Sequence, residues 1–157
     1  MLAFDLRGYG HSGVPPHVPY RAYDRDLAAM VAWAHADGAK RVFLLGASYG
    51  GAVSLTYAPR LRVDGVISLS GETYLPSAHA NPLLSAPRLH VPLLIVGTRH
   101  DRYLPVKYAL TLLRRAATND KRTALYRGGW HGWGIVETAP YAASARTLIA
   151  GWIRAHA

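Results

Sequence analysis

Short apolar runs alternate along this chain with stretches in which apolar residues recur at helical spacing. The runs at residues 41–46, 63–69 and 92–97 predict strands, and the first of them, apolar from Val42 onward, is typical of parallel strands buried on both faces. Adding two weaker runs, the predicted strands are 2–6, 41–46, 63–69, 92–97 and 122–126. The predicted helices are 21–37, 48–58, 105–117 and 140–157, the last with Thr138 as its N-cap. This alternation predicts an α/β fold with a doubly wound, mostly parallel sheet.

A serine motif lies at one strand-to-helix junction. Residues 46–50 read Gly-Ala-Ser-Tyr-Gly, which matches G-x-S-x-G, directly after the strand at 41–46 and at the start of the helix at 48–58. The pentapeptide alone is common, but this context is what a nucleophile elbow requires. The pattern therefore predicts Ser48 as a nucleophile on a tight turn.

The neighbours of Ser48 fit such a turn. A strained turn requires small residues on both sides of the serine, and Gly46, Gly50 and Gly51 meet that requirement. The helix that begins at Ser48 would direct its positive end at the reaction site. The backbone N–H of Tyr49 is the predicted oxyanion-hole donor.

A serine nucleophile needs a base, and the base needs an acid that orients it. Asp101 comes just after the strand at 92–97, and His131 comes just after the strand at 122–126. Carboxyl ends of parallel strands meet at one edge of a sheet, where sites of α/β proteins lie. The order Ser48, Asp101, His131 along the chain therefore predicts a catalytic triad.

Other residues compete for these roles. Glu72 follows the strand at 63–69 and could replace Asp101 as the acid. His100 precedes the last strand, and His11 lies in the first loop, so both fit the role of base less well than His131. Tyr103 and Trp130 could line a substrate pocket with Tyr49 and Trp133, or these aromatic rings could simply pack the loops.

The first loop carries a family resemblance. Residues 5–12 read Asp-Leu-Arg-Gly-Tyr-Gly-His-Ser, which is similar to the D-x-R-G-x-G-x-S segment that follows the fourth strand in α/β-hydrolases. With the serine, aspartate and histidine motifs, the chain resembles the C-terminal two-thirds of such a domain. The resemblance implies a single partial domain over 1–157, with the first strands and any large cap domain absent.

Missing strands would have two effects. In the family, the third strand lies between the fourth and the fifth, so the strand at 2–6 would lose its neighbour. The outer edge of the strand at 41–46 would be unpaired, and an unpaired edge favours self-association. The loop after the third strand would normally supply the second oxyanion donor, whose loss typically costs about 100-fold in rate.

The resemblance implies a serine hydrolase that cleaves a carboxylic ester through an acyl-enzyme on Ser48. A serine aminopeptidase is an alternative, because Ser-Tyr-Gly-Gly at 48–51 also resembles such peptidases. A second alternative is an inactive domain that binds a partner through its open edge.

Composition narrows these classes. The net charge is +9, but the basic residues are scattered, so we expect a solvated surface and no nucleic-acid partner. The chain has no cysteine, and its histidines lack metal-ligand spacing, so we expect neither a metal nor another cofactor. With no long apolar run and no signal peptide at Met1, we expect a cytoplasmic protein without membrane association.

Overall fold

Four parallel strands form the centre of the molecule. The computed structural model describes residues 1–14, 16–17, 22–75 and 79–157. The strands are β1 (Phe43–Ala47), β2 (Gly65–Leu69), β3 (Leu93–Thr98) and β4 (Lys121–Tyr126), in the spatial order β1-β2-β3-β4. The helices are α1 (Tyr23–Ala36), α2 (Tyr49–Tyr57), α3 (Pro82–Ser85), α4 (Val106–Arg115), α5 (Gly134–Glu137) and α6 (Ala142–His156), with 3₁₀ turns at Ala58–Arg60 and Ala86–Arg88. The predicted parallel α/β fold is confirmed.

The two central strands are buried on both faces. Side chains alternate along β2, so Val66 points into a cluster formed with α2 and α4, while Ile67 points into a cluster formed with α5 and α6. In β3, Ile95 and Leu94 divide between the same two clusters. Burial on both faces explains why apolar residues occupy consecutive positions in these strands instead of alternating with polar ones.

The first predicted strand is wrong. Residues 2–6 form no strand, and within the described residues β1 pairs with β2 alone, so β1 is an edge strand as predicted. Without a neighbouring strand the backbone of 2–6 has no ladder to join, and Leu2 and Phe4 are about half exposed. The segment is held instead at Arg7, whose Nε donates to Asp26 in α1 at 2.9 Å from Oδ1.

The residues of the D-x-R-G-x-G-x-S segment close a loop on themselves. The Asp5 carboxylate accepts the backbone N–H of His11 at 3.0 Å, and the Ser12 hydroxyl donates to the Asp5 carbonyl at 2.9 Å. Gly10 has a φ of +52°, and a Cβ there would lie 2.0 Å from the Asp5 carboxyl. The glycine is thus required for the aspartate to turn inward.

Several helix boundaries differ from the prediction. The last helix begins at Ala142, and Thr138 ends α5 instead of capping α6, because α5 adds an unpredicted turn after β4. The loop at 71–91 contains α3 and a 3₁₀ turn. The predicted start of the first helix at Arg21 and part of the proline-rich segment before it lie outside the described residues. None of the described helices is both long and apolar enough to span a bilayer.

His156 stabilises the C-terminal end of α6 through two hydrogen bonds. Its Nδ1 lies 2.6 Å from the Trp152 carbonyl and its Nε2 lies 2.9 Å from Asp120 Oδ2. Both partners are acceptors only, so both ring nitrogens donate when the imidazole is protonated. The Trp152 carbonyl, opposed by burial and helped by Asp120, raises the pKa of His156.

The two hydrogen bonds of His156 predict that the free energy of unfolding depends on pH. Because the pKa is raised on folding, its stabilising contribution is fully present below the unfolded pKa of about 6.5 and is lost as pH rises through the folded pKa. We expect His156→Gln to lower the free energy of unfolding in urea more at about pH 5.5 than at about pH 8.5. In an Asp120→Asn background this pH dependence should shrink, and an equal loss at both pH values would contradict the prediction.

Candidate active site

Ser48 occupies the turn between β1 and α2. Its backbone has φ +48° and ψ −112°, a conformation that side-chain-bearing residues rarely adopt. The Ser48 N–H donates to the Leu69 carbonyl at the end of β2 at 2.9 Å, and the Ser48 carbonyl accepts from the Ala52 N–H in α2 at 3.1 Å. The strained backbone is therefore held from both sides, as is common at reaction sites.

The glycines around the serine differ in what they do. A Cβ on Gly46 would lie 2.2 Å from the Gly50 carbonyl oxygen, and one on Gly51 would lie 2.8 Å from the Gly71 Cα. A Cβ on Gly50 would meet nothing within 4 Å. The turn thus requires small residues at Gly46 and Gly51, and the expectation that it requires one at Gly50 is wrong.

This difference predicts opposite results for two neighbouring substitutions. Gly46→Ala forces backbone against backbone, so we expect a loss of about 2 kcal/mol or more in the free energy of unfolding. Gly50→Ala fills open space in α2 and should cost nothing, with a gain of up to about 1 kcal/mol from helix propensity. Urea unfolding of the two variants beside the parent measures both, and equal stability of the two would contradict the steric argument.

The structure brings the three predicted triad residues together. His131 Nε2 lies 2.7 Å from Ser48 Oγ. His131 Nδ1 lies 2.9 Å from Asp101 Oδ2 and 3.0 Å from Asp101 Oδ1. With Nδ1–H donating to the carboxylate, Nε2 is the unprotonated nitrogen that can accept the serine proton.

Asp101 is held in place by the start of the segment that leads to α4. Its Oδ1 accepts the backbone N–H groups of Tyr103 at 2.8 Å and Leu104 at 3.1 Å, and its side chain is fully buried. Burial alone would raise the pKa of Asp101. The interactions with Ser70, His131 and the two N–H groups outweigh burial and lower the pKa, so the group is a carboxylate at neutral pH.

The loop after β4 places His131. The Trp130 carbonyl accepts from the Thr98 hydroxyl at the end of β3 at 2.9 Å. Gly132 has a φ of +54°, and a Cβ on it would lie 3.5 Å from the Ser48 Cβ. The ring of Tyr103 lies 4.6 Å from the imidazole, centre to centre, and covers part of it.

The competing candidates lie apart from this arrangement. In the described part of the chain, Glu72 forms neither a hydrogen bond nor an ion pair with His131. The side chain of His11 is fully exposed and lies 4.0 Å from Asp5, and His100 is exposed as well. Asp101 is therefore the carboxylate that contacts the imidazole.

The predicted pocket residues divide into two groups. Trp130 packs against Tyr141 at 5.8 Å between ring centres and joins the apolar cluster under α6. Tyr103 and Trp133 are more than half exposed. Two surface grooves of about 410 and 310 Å³ lie elsewhere and are not lined by the three triad residues. Of the predicted pocket residues, Tyr103 is the one whose ring contacts His131.

Tyr49 anchors the start of α2. Its ring contacts Tyr9 at 5.5 Å and Tyr23 at 5.8 Å between centres. Burial, followed by hydrogen bonding to those two tyrosines, raises the pKa of Tyr49, so its hydroxyl stays neutral. The cluster fixes the side chain of Tyr49, the residue whose N–H is the predicted oxyanion donor.

Two features of the site had no signal in the sequence. The tyrosine cluster around Tyr49 joins residues that are far apart along the chain, and no motif links them. Ser70, which helps to lower the pKa of Asp101, is a serine after a strand and matches no pattern. Each becomes visible only when the strand ends are brought together.

The sequence matches one family model. A model described as alpha/beta hydrolase fold matches residues 1–87, which is more than half of the 157 residues. A search of curated proteins finds no match.

Three solved structures illustrate the similarity in fold. A monoacylglycerol lipase from Paleococcus ferrophilus is similar over 93% of this chain and 79% of its own, with a TM-score of 0.75 and 15% identity. An esterase from Pyrococcus furiosus is similar over 96% of this chain and 69% of its own, with a TM-score of 0.79 and 18% identity. A putative dienelactone hydrolase from Klebsiella pneumoniae is 22% identical over 82% of this chain and 59% of its own, with a TM-score of 0.65. At these identities the likeness concerns the fold.

Proposed function

Because this chain belongs to the alpha/beta hydrolase fold family, we propose that it is a serine hydrolase that cleaves carboxylic esters through an acyl-enzyme on Ser48. The observation that carries the proposal is the continuous hydrogen-bonded line from Ser48 through His131 to Asp101. Similarity in fold to a monoacylglycerol lipase and to an esterase favours an ester over other acyl substrates.

Acylation begins with proton transfer from the serine. Ser48 Oγ attacks the ester carbonyl carbon while its proton passes to His131 Nε2, which already lies 2.7 Å away. The carbonyl π electrons move to the oxygen, and the Tyr49 N–H donates to the resulting oxyanion. His131 then gives its proton to the departing alkoxide, and the acyl group remains bonded to Ser48.

Deacylation repeats these steps with water. His131 Nε2 takes a proton from a water molecule as its oxygen attacks the acyl carbon, and the second tetrahedral intermediate forms on the same N–H donor. The intermediate collapses, Ser48 Oγ recovers the proton from His131, and the carboxylic acid leaves. Throughout, the Asp101 carboxylate holds Nδ1–H and stabilises the transient imidazolium.

A fluorophosphonate probe tests the nucleophile directly. Such probes phosphonylate a serine only when a base activates it, so we expect a covalent adduct at Ser48 in the purified chain and none in His131→Ala. Peptide mass spectrometry locates the adduct, and circular dichroism checks that the variant is folded. Hydrolysis of short-chain 4-nitrophenyl esters, lost in the same variant, would complete the assignment.

The other outcomes separate the alternatives. Labelling at Ser48 with turnover of amino-acid anilides but not of esters would favour a serine aminopeptidase. A folded parent that neither labels nor hydrolyses either substrate would overturn the proposal and favour a non-catalytic role.

A further inference from the structure

Ser70, the residue that follows β2, combines burial with backbone strain. It has no exposed surface, and its φ is +50°, in the region that favours glycine. A glycine, like the Gly71 that follows, would adopt that conformation without strain, yet the strained position carries a serine. Strain of this kind persists where the surrounding structure enforces it and often marks a functional position.

Backbone hydrogen bonds place Ser70 between the nucleophile and the acid. The preceding carbonyl, that of Leu69, accepts the N–H of Ser48 at 2.9 Å. The N–H of Ser70 itself donates to the Val96 carbonyl in β3, the strand that leads to Asp101, at 2.8 Å. The end of β2 therefore bridges the elbow and the strand of the acid.

The hydroxyl of Ser70 is buried without a regular hydrogen bond in the described residues. Among the described residues, no group meets Ser70 Oγ with normal hydrogen-bond geometry, although the atom is inaccessible to solvent. Its interaction with Asp101 nevertheless helps to lower the pKa of that carboxyl. A buried hydroxyl without a partner costs stability, so its retention needs an explanation.

We propose that Ser70 is a positioning residue for Asp101, whose hydroxyl donates to the carboxylate while His131 carries the proton taken from Ser48. The carboxylate must then hold its orientation against a charged imidazole, and one further donor to the carboxylate helps to fix that orientation. Hydrogen bonds in active sites are often long at rest and shorten only during reaction, which agrees with the loose geometry of Ser70. This inference rests on the proposed hydrolase function.

Two substitutions separate the hydroxyl from the strain. Ser70→Ala removes the hydroxyl and keeps a Cβ at positive φ, whereas Ser70→Gly removes the hydroxyl and relieves the backbone. We expect both variants to lower kcat for a 4-nitrophenyl ester by about tenfold or more, with KM unchanged, because a hydrogen bond to a charged group is lost. Ser70→Gly should be the more stable of the two, so it tests the hydroxyl even where Ser70→Ala fails to fold.

A double-substitution cycle distinguishes positioning from packing. In an Asp101→Asn background, Ser70→Gly should have no further effect on kcat, because the group it positions has already lost its charge. Parental kcat in Ser70→Gly, or the same fold loss with and without the Asp101 carboxylate, would overturn the inference and leave the hydrolase proposal intact. A parent chain without labelling at Ser48 would overturn the hydrolase proposal and the inference with it.

Discussion

Replacing Ser48 by alanine is expected to lower kcat for ester hydrolysis by about 10⁴-fold or more and to abolish fluorophosphonate labelling. In the proposed reaction the hydroxyl oxygen forms the acyl bond, and it is the group that hydrogen-bonds to His131 Nε2 within the described residues. Alanine keeps the Cβ at the strained φ, so the elbow should fold as in the parent. Steady-state hydrolysis of a 4-nitrophenyl ester and intact mass after probe treatment measure the two effects.

Ser144→Ala is the matched control for this experiment. Ser144 is exposed on α6, and the same chemical change there should leave hydrolysis, labelling and unfolding unaltered. Residual turnover in Ser48→Ala above about one hundredth of the parental kcat would place the chemistry on another residue.

Asp101→Asn is expected to reduce kcat by about 10⁴-fold while the protein stays folded. The amide oxygen can still accept the N–H groups of Tyr103 and Leu104, but the amide NH₂ then faces His131 Nδ1. That nitrogen must become the acceptor, so the proton moves to Nε2, which can no longer take the serine proton. Measurement of kcat and of the fluorophosphonate labelling rate should show parallel losses.

Glu72→Gln provides the discriminating control for the acid. Glu72 was the competing acid by its place in the sequence, and in the described residues it forms neither a hydrogen bond nor an ion pair with the imidazole. We expect hydrolysis in Glu72→Gln to stay within about twofold of the parent. A loss in Glu72→Gln comparable to that in Asp101→Asn would contradict the assignment of the acid.

The sequence was sufficient to predict that Ser48, Asp101 and His131 lie together, because each stands at or just past the end of a strand. Parallel strands bring their carboxyl ends to one edge, so Ser48, Asp101 and His131 could be placed together without coordinates. The requirement for glycine at Gly46 also followed from the motif. The open space at Gly50 did not, because it depends on how α2 packs.

The first strand was the main error, and its cause is physical. Residues 2–6 have a strand-like composition, but a strand is stabilised by pairing with a neighbouring strand. In the described residues β1 pairs with β2 alone, so residues 2–6 have no strand to pair with. The local sequence pattern predicts the propensity for a strand, whereas pairing with another strand decides whether the strand forms. The sequence did not predict the short helix α5, because a single turn carries too few residues to show helical periodicity.

The unpaired edge of β1 has a consequence for how this protein behaves in solution. Each molecule carries a formal charge of +9, so two copies repel one another as their edges approach. At an ionic strength of about 0.15 M the screening length is about 8 Å, so the repulsion acts only over short distances, such as the spacing of about 4.8 Å between two paired strands. The electrostatic repulsion that keeps two β1 edges apart therefore weakens with added salt. The ionic strength of a preparation then sets how readily two such edges meet.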